Sequence, residues 1–189
     1  MMRFVYFSLL LIVSALASPL QAAANGPPMA NAVVLIIRHA DKPEDGSQLS
    51  PDGERRAEAY VQYFNPFKAA GDSVTPDMLI ATADSGNSER PRLTLEPLSK
   101  AIGVSINTEF ANHQEKDLAA YLFQAQHGRV ILIAWHHGRI PQLIAALGGD
   151  PFRFFPDGRW PDDVYDKVIV LRFDAAGQFA SQQMVQEPF

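Results

Sequence analysis

The chain contains no cysteine, which excludes disulfides, thiol nucleophiles and thiolate metal sites. It has no excess of positive charge: 16 lysines and arginines stand against 21 acidic residues, interspersed, for a formal net charge of −5. No electrostatic footprint for nucleic acid follows from that balance, so an anionic ligand would need a local cluster of arginines. Internal repeats and low-complexity tracts are absent as well. What remains is 189 residues, 47% hydrophobic and 20% charged, with material for one sizeable core and no second domain.

The first residues form a separate object. Met1, Met2 and Arg3 give a positive start, residues 4–17 an apolar run too short to span a bilayer comfortably, and Ala22, Ala23 and Ala24 the small residues a signal peptidase cuts after. This pattern predicts a secretory signal peptide over residues 1–24, a flexible lead over 25–31 and a single domain over 32–189, exported to the periplasm or beyond and free of the membrane after cleavage. An uncleaved membrane anchor is the alternative, although Pro19 and the alanines do not extend the apolar run.

Residues 33–37 are consecutive aliphatics, Val-Val-Leu-Ile-Ile, and read as a strand buried on both faces of a parallel sheet. The run stops on Arg38 and His39. A loop with Pro43 and Gly46 follows, then a helix start with Ser50 as N-cap and Pro51 at the first helical position, its apolar stripe at Ala57, Tyr60, Val61 and Phe64. Residues 76–81 form a second strand, which gives way to small and polar residues and then to Arg90 and Arg92. Ser88 is the expected cap of the next helix, with Leu93, Leu95, Leu98 and Ile102 closing on the core. A short strand over 104–106 leads to Glu109, and a helix spans 115–126. Residues 130–135 are the strongest strand of the chain, ending on His136 and His137, and helical spacing resumes over 140–147. The aromatic loop 150–163 reads as packed cover in preference to a substrate-facing rim. A strand at 167–173 and a hairpin partner at 178–185 complete the chain.

Alternating strands and helices predict a three-layer α/β/α sandwich around a mostly parallel sheet, whose crossovers put the strand ends on one edge. Ligands collect at that edge in such sheets. Three of its strand ends deliver Arg38 with His39, Arg90, and His136 with His137. Arginines and imidazoles converging without a carboxylate cluster suit a tetrahedral oxyanion, because guanidinium forks match phosphate oxygens bidentately. A histidine there can be the nucleophile that takes up a phosphoryl group. No metal or other cofactor is called for. A metal hydrolase built on His136 and His137 is a weaker reading, since adjacent residues at a strand end point in different directions.

Four segments in this order resemble the histidine phosphatase superfamily, the group that includes phosphoglycerate mutases and small acid phosphatases. Leu35-Ile36-Ile37-Arg38-His39-Ala40 resembles the Arg-His-Gly signature with alanine in the glycine place, and residues 49–57 resemble the Leu-Thr-x-x-Gly-x-x-Gln-Ala helix start. Arg90 with Thr94 resembles Arg-Ala-x-x-Thr, and residues 131–141 resemble the second-histidine segment. The resemblance implies a phosphoglycerate mutase-like fold and hydrolysis of a small phosphomonoester, with His39 as phosphorylated nucleophile and Arg38, Arg90 and a second histidine as the phosphate pocket. Alignment on residues 138–141 selects His136 for the second histidine, whereas a Trp-x-His pattern selects His137. The resemblance also implies a carboxylic acid as proton donor; Glu109 is the positional candidate, with Asp84, Glu115 and Asp117 behind it, although the family's glutamate signature is not recognisable around Glu109. Lys42 would add charge at the rim, and Ser50 and Ser85 are candidate substrate contacts. His113 and His127 read as plain surface residues. A catalytically weak or dead phosphate-binding module is the alternative of a different class, and a mutase is disfavoured because the long insertions of that branch are missing.

Overall fold

The structure is a computed structural model describing residues 26–68, 71 and 73–189. The segment read as an export signal lies outside the described residues, and no helix among those described is long and apolar enough to cross a membrane.

Six strands form one sheet in the order β3-β2-β4-β1-β5-β6: β1 (Val33–Arg38), β2 (Met78–Ala81), β3 (Ile106–Asn107), β4 (Val130–Trp135), β5 (Lys167–Phe173) and β6 (Phe179–Gln186). The pairs β1–β4, β4–β2 and β2–β3 are parallel, while β5 runs antiparallel to both β1 and β6. The helices are α1 (Pro51–Tyr63), α2 (Arg90–Ile102), α3 (Glu115–Gln124) and α4 (Ile140–Ala146). The sheet is the middle of three layers, which is why β1 and β4 are continuous apolar runs. Leu35 and Ile37 enter one core with Tyr60 and Phe64 of α1 and Leu95 and Leu98 of α2. Val34 and Ile36 enter the other with Leu118 and Leu122 of α3 and Leu143 and Ile144 of α4. Each successive β1 residue thus faces an opposite layer, as the pleat requires.

Element ends shift by a residue or two from expectation. Ser88 does not cap α2 directly: Glu89 holds that place without a side-chain bond, and Ser88 Oγ accepts from Arg90 N at 3.3 Å. Residues 26–31, expected to be flexible, are anchored. Met29 is buried, Gln126 Nε2 donates to Gly26 O at 2.6 Å, and Asn31 N donates to Asp174 O at 2.8 Å. The aromatic loop is packed cover in that Phe155 and Trp160 are buried in the core beside α4, while Phe152 stays exposed.

The start of α1 grips the loop that follows β1. Ser50 Oγ accepts from Gly53 N at 3.1 Å, Ser50 N donates to Asp41 O at 3.0 Å, and Arg56 Nε donates to Asp41 Oδ2 at 2.7 Å. Arg56 Nη1 also reaches Glu187 Oε2 at 2.8 Å, and Tyr60 Oη donates to Glu187 Oε1 at 2.9 Å. Burial pushes the Glu187 carboxyl up to about 7 against the pull of Tyr60 and Arg56. Gly53 is required by space: a Cβ there would stand 2.2 Å from Asp41 O. Gly53→Ala must displace this loop, and overpacking against backbone costs about 1–3 kcal/mol. The expected outcome is a lower melting temperature, read by thermal denaturation.

Candidate active site

Register brings the two imidazoles together. Parallel pairing of β1 with β4 sets Arg38 opposite Trp135, and His39 N donates to Trp135 O at 2.9 Å. The next residues, His39 and His136, therefore leave the sheet side by side. Their ring centroids lie 5.2 Å apart, edge to face at 71°. His137 turns away and pairs with Asp162 Oδ1 at 2.9 Å.

His39 is 3% exposed, and its Nδ1 lies 2.8 Å from Ala40 O. A carbonyl oxygen only accepts, so Nδ1 carries the proton and Nε2 holds the free lone pair. The loop itself is fixed by Thr94, whose hydroxyl accepts from Ala40 N at 2.8 Å and donates to Arg90 O at 2.7 Å. One buried threonine thus ties the loop after β1 to the first turn of α2.

Arg38 is fully buried. Its Nη1 donates to the carbonyls of Asp162 at 2.7 Å, Val164 at 3.0 Å and Pro161 at 3.3 Å, and Nη2 donates to Tyr165 Oη at 2.9 Å. The guanidinium lies over the Tyr165 ring, 3.7 Å from its centroid, a favourable cation–π arrangement. Arg38 Nε is buried with no partner among the described residues. The Nε–H and the second Nη2–H form the side edge of the fork, which is the edge that meets an oxyanion bidentately. Arg90 is held in a similar way, donating to Gly46 O at 3.2 Å and to Asn87 O, and its Nε is likewise buried and unpartnered.

Burial lowers the His39 imidazole to about 3, helped by His136, Arg38 and Arg90 and opposed by the bond to Ala40 O. His136 is lowered to about 4, again by burial first and then by Arg90, His137 and Arg38. Both rings are neutral at neutral pH, as a nitrogen nucleophile must be. Between the ordinary value of 6.5 and these lowered values the unfolded chain binds more protons than the folded one. The stability these rings contribute is therefore fully present above about pH 6.5 and is lost progressively as the pH falls, towards about 4 for His136 and about 3 for His39. In an NMR titration of the folded protein, the ring protons of His39 and His136 are expected to hold their shifts from about pH 8 to pH 5. A midpoint near the ordinary value for either ring contradicts this.

The carboxylates expected as proton donors stand elsewhere. Glu109 is exposed, accepting from Asn107 Nδ2 at 3.2 Å. Glu115 is buried against Arg139, whose Nη2 lies 3.0 Å from Oε2. Asp84 pairs with Arg92 at 2.7 Å, and Asp117 accepts from Gln114 Nε2 at 3.0 Å. None of the four touches His39 among the described residues. Ser50 Oγ is spent on its helix cap, and Ser85 Oγ on the turn to Ser88, accepting from Ser88 N at 3.2 Å. Lys42 is exposed, yet close enough to His137 to lower that ring further. His127 stacks on Tyr121 at 3.8 Å, and His113 is exposed.

Tyr165 is the site residue that pattern reading missed. It stands here because no helix intervenes between α4 and β5 beyond the short turn Pro151–Arg153. Without a crossover helix the chain returns over the same sheet edge, and β5 starts antiparallel beside the end of β1, with Val168 opposite Ile37. The missing helical spacing between Gly149 and Lys167 was the available signal. A cavity of about 330 Å³ adjoins the cluster, lined by His137, Gln142, Asp157, Arg159, Trp160 and Asp162. A groove of about 720 Å³ between α1 and α2 includes none of the imidazoles or arginines described above.

No family model matches the chain, and no curated protein matches it in sequence. Solved structures match it in fold. The protein histidine phosphatase SixA complexed with tungstate is 17% identical with a TM-score of 0.52, the match covering 80% of this chain and 96% of that one. The phosphoglycerate mutase of Plasmodium falciparum is 15% identical with a TM-score of 0.52, covering 85% of this chain and 91% of that one. A candidate alpha-ribazole-5'-P phosphatase of Escherichia coli is 13% identical with a TM-score of 0.58, covering 83% of this chain and 97% of that one. With its six-stranded mixed sheet between two pairs of helices, the chain has a phosphoglycerate mutase-like α/β fold.

Proposed function

We propose that the protein hydrolyses a phosphomonoester, without a metal ion, through a covalent phosphohistidine on His39. The observation that carries this reading is the state of His39: Nδ1–H held by Ala40 O, Nε2 unprotonated, and the Nε–H groups of Arg38 and Arg90 buried without a partner among the described residues. Nε2 attacks phosphorus as the ester P–O bond breaks, and the guanidiniums of Arg38 and Arg90 take the equatorial oxygens as charge redistributes over them. His136, kept neutral, donates one hydrogen bond to the same oxygens. Water then attacks the phosphoryl group, the N–P bond breaks, and inorganic phosphate leaves. The remainder of the substrate occupies the cavity beside His137. Two comparisons support the choice of ligand: one structural neighbour holds tungstate, itself a tetrahedral oxyanion, and another is a phosphatase candidate. If residues 1–24 direct export, the reaction takes place outside the cytoplasm.

The test is acid-quenched intact mass of the protein mixed with an aryl phosphate in the presence of a chelator, with peptide mapping of any adduct. A transient gain of one phosphoryl group on His39, absent from His39→Ala, is the expected result. No adduct and no phosphate release, alongside measurable binding of vanadate, would leave a binding module in place of an enzyme.

A further inference from the structure

A phosphatase acting on an unactivated ester must hand a proton to the departing oxygen. The four carboxylates suggested by the sequence are exposed or tied to other partners, and none touches His39 among the described residues. His137 has its Nε2 committed to Asp162. Tyr165 places a hydroxyl inside the cluster. Tyr165 Oη accepts from Arg38 Nη2, leaving its own hydrogen with no acceptor among the described residues. Its ring centroid is 6.2 Å from that of His39, tilted by 57°, and it lies within electrostatic reach of Arg90. The phenol therefore borders the same space as the nucleophile and both guanidiniums.

We propose that Tyr165 is the proton donor to the leaving group, a role that rests on the phosphatase reading above. As the His39 Nε2–P bond forms and the ester P–O bond breaks, the Tyr165 O–H proton passes to the departing alkoxide, which leaves as the alcohol. The tyrosinate so formed faces the Arg38 and Arg90 charges, which hold it for the next step. Water attacking the phosphohistidine returns a proton to Tyr165 as the N–P bond breaks, and the enzyme is restored.

The experiment compares Tyr165→Phe with the unaltered protein on two substrates, phenyl phosphate and 2,4-dinitrophenyl phosphate. The variant keeps the ring beneath Arg38 and removes only the hydroxyl. General acid catalysis contributes about 10²–10⁴-fold, so kcat/KM on phenyl phosphate is expected to fall by at least about 100-fold. The dinitrophenolate needs no proton to leave, so its rate should change by less than about 3-fold, and the dependence on leaving-group acidity should steepen. Equal losses on both substrates would assign Tyr165 to the placement of Arg38 and overturn the proposal. No loss on either would overturn it in favour of another donor. Acid-quenched mass of the unaltered protein with dinitrophenyl phosphate separates the two levels: no adduct on His39 overturns the phosphatase reading and this proposal together, whereas an adduct retained in Tyr165→Phe leaves the first standing.

Discussion

His39→Ala is expected to lower phosphate release from an aryl phosphate by at least about 10⁴-fold, since loss of a covalent nucleophile removes the whole two-step route and not one interaction along it. Stability should change little by comparison. Among the described residues the ring's one hydrogen bond is to the carbonyl of the adjacent residue, and the backbone bond from His39 N to Trp135 O survives the substitution. Steady-state kinetics beside a thermal melt make the check. The vacated space also allows rescue: added imidazole can accept the phosphoryl group in place of the side chain, restoring release in a concentration-dependent way. A variant retaining more than about 1% of activity would show that His39 is not the nucleophile.

Arg38→Ala is expected to fail in two ways at once. Removing a preorganised donor from a developing oxyanion costs about 10²–10³-fold in kcat. The same change strands the carbonyl of Asp162, takes one of two donors from those of Pro161 and Val164, and uncovers the Tyr165 ring. Each acceptor left unpaired in a buried setting costs about 1–3 kcal/mol. The Asp162 carbonyl is only part-buried, so water replaces some of the loss, and a net destabilisation of about 1–2 kcal/mol is expected. Arg38→Lys separates charge from geometry. An ammonium keeps the charge but cannot span several carbonyls and an oxyanion together, so lysine should recover less than about 10-fold of the lost rate. Full recovery by lysine would mean that charge alone matters at this position.

The parts of this site that could be read in the sequence are those announced by an abrupt change of composition. Aliphatic runs that stop on Arg38 and on His136 mark strands buried on both faces, and the three-layer sandwich follows from them. The choice between His136 and His137 could not be made that way, because it depends on β1–β4 register and on the turn His137–Arg139, which are tertiary facts. Glu109 illustrates the opposite failure: a carboxylate near a strand end is easily named, but β3 is only two residues long and lies at the sheet edge, away from the β1–β4 centre. Backbone partners were invisible for a different reason. Pro161, Asp162 and Val164 act on Arg38 through their carbonyls, and no side-chain pattern reports that.

That last grip also bears on how such a site can diverge. One nitrogen of the arginine most deeply buried in the cluster, Nη1, is held by atoms that every amino acid possesses. Asp157, Arg159 and Asp162 can therefore be exchanged, and with them part of the lining of the neighbouring cavity, while the carbonyls that hold Nη1 stay in place. Selection acting on ligand preference and selection acting on bond cleavage are thus carried by different atoms of the same few residues. New preferences can accumulate there without passing through an inactive ancestor.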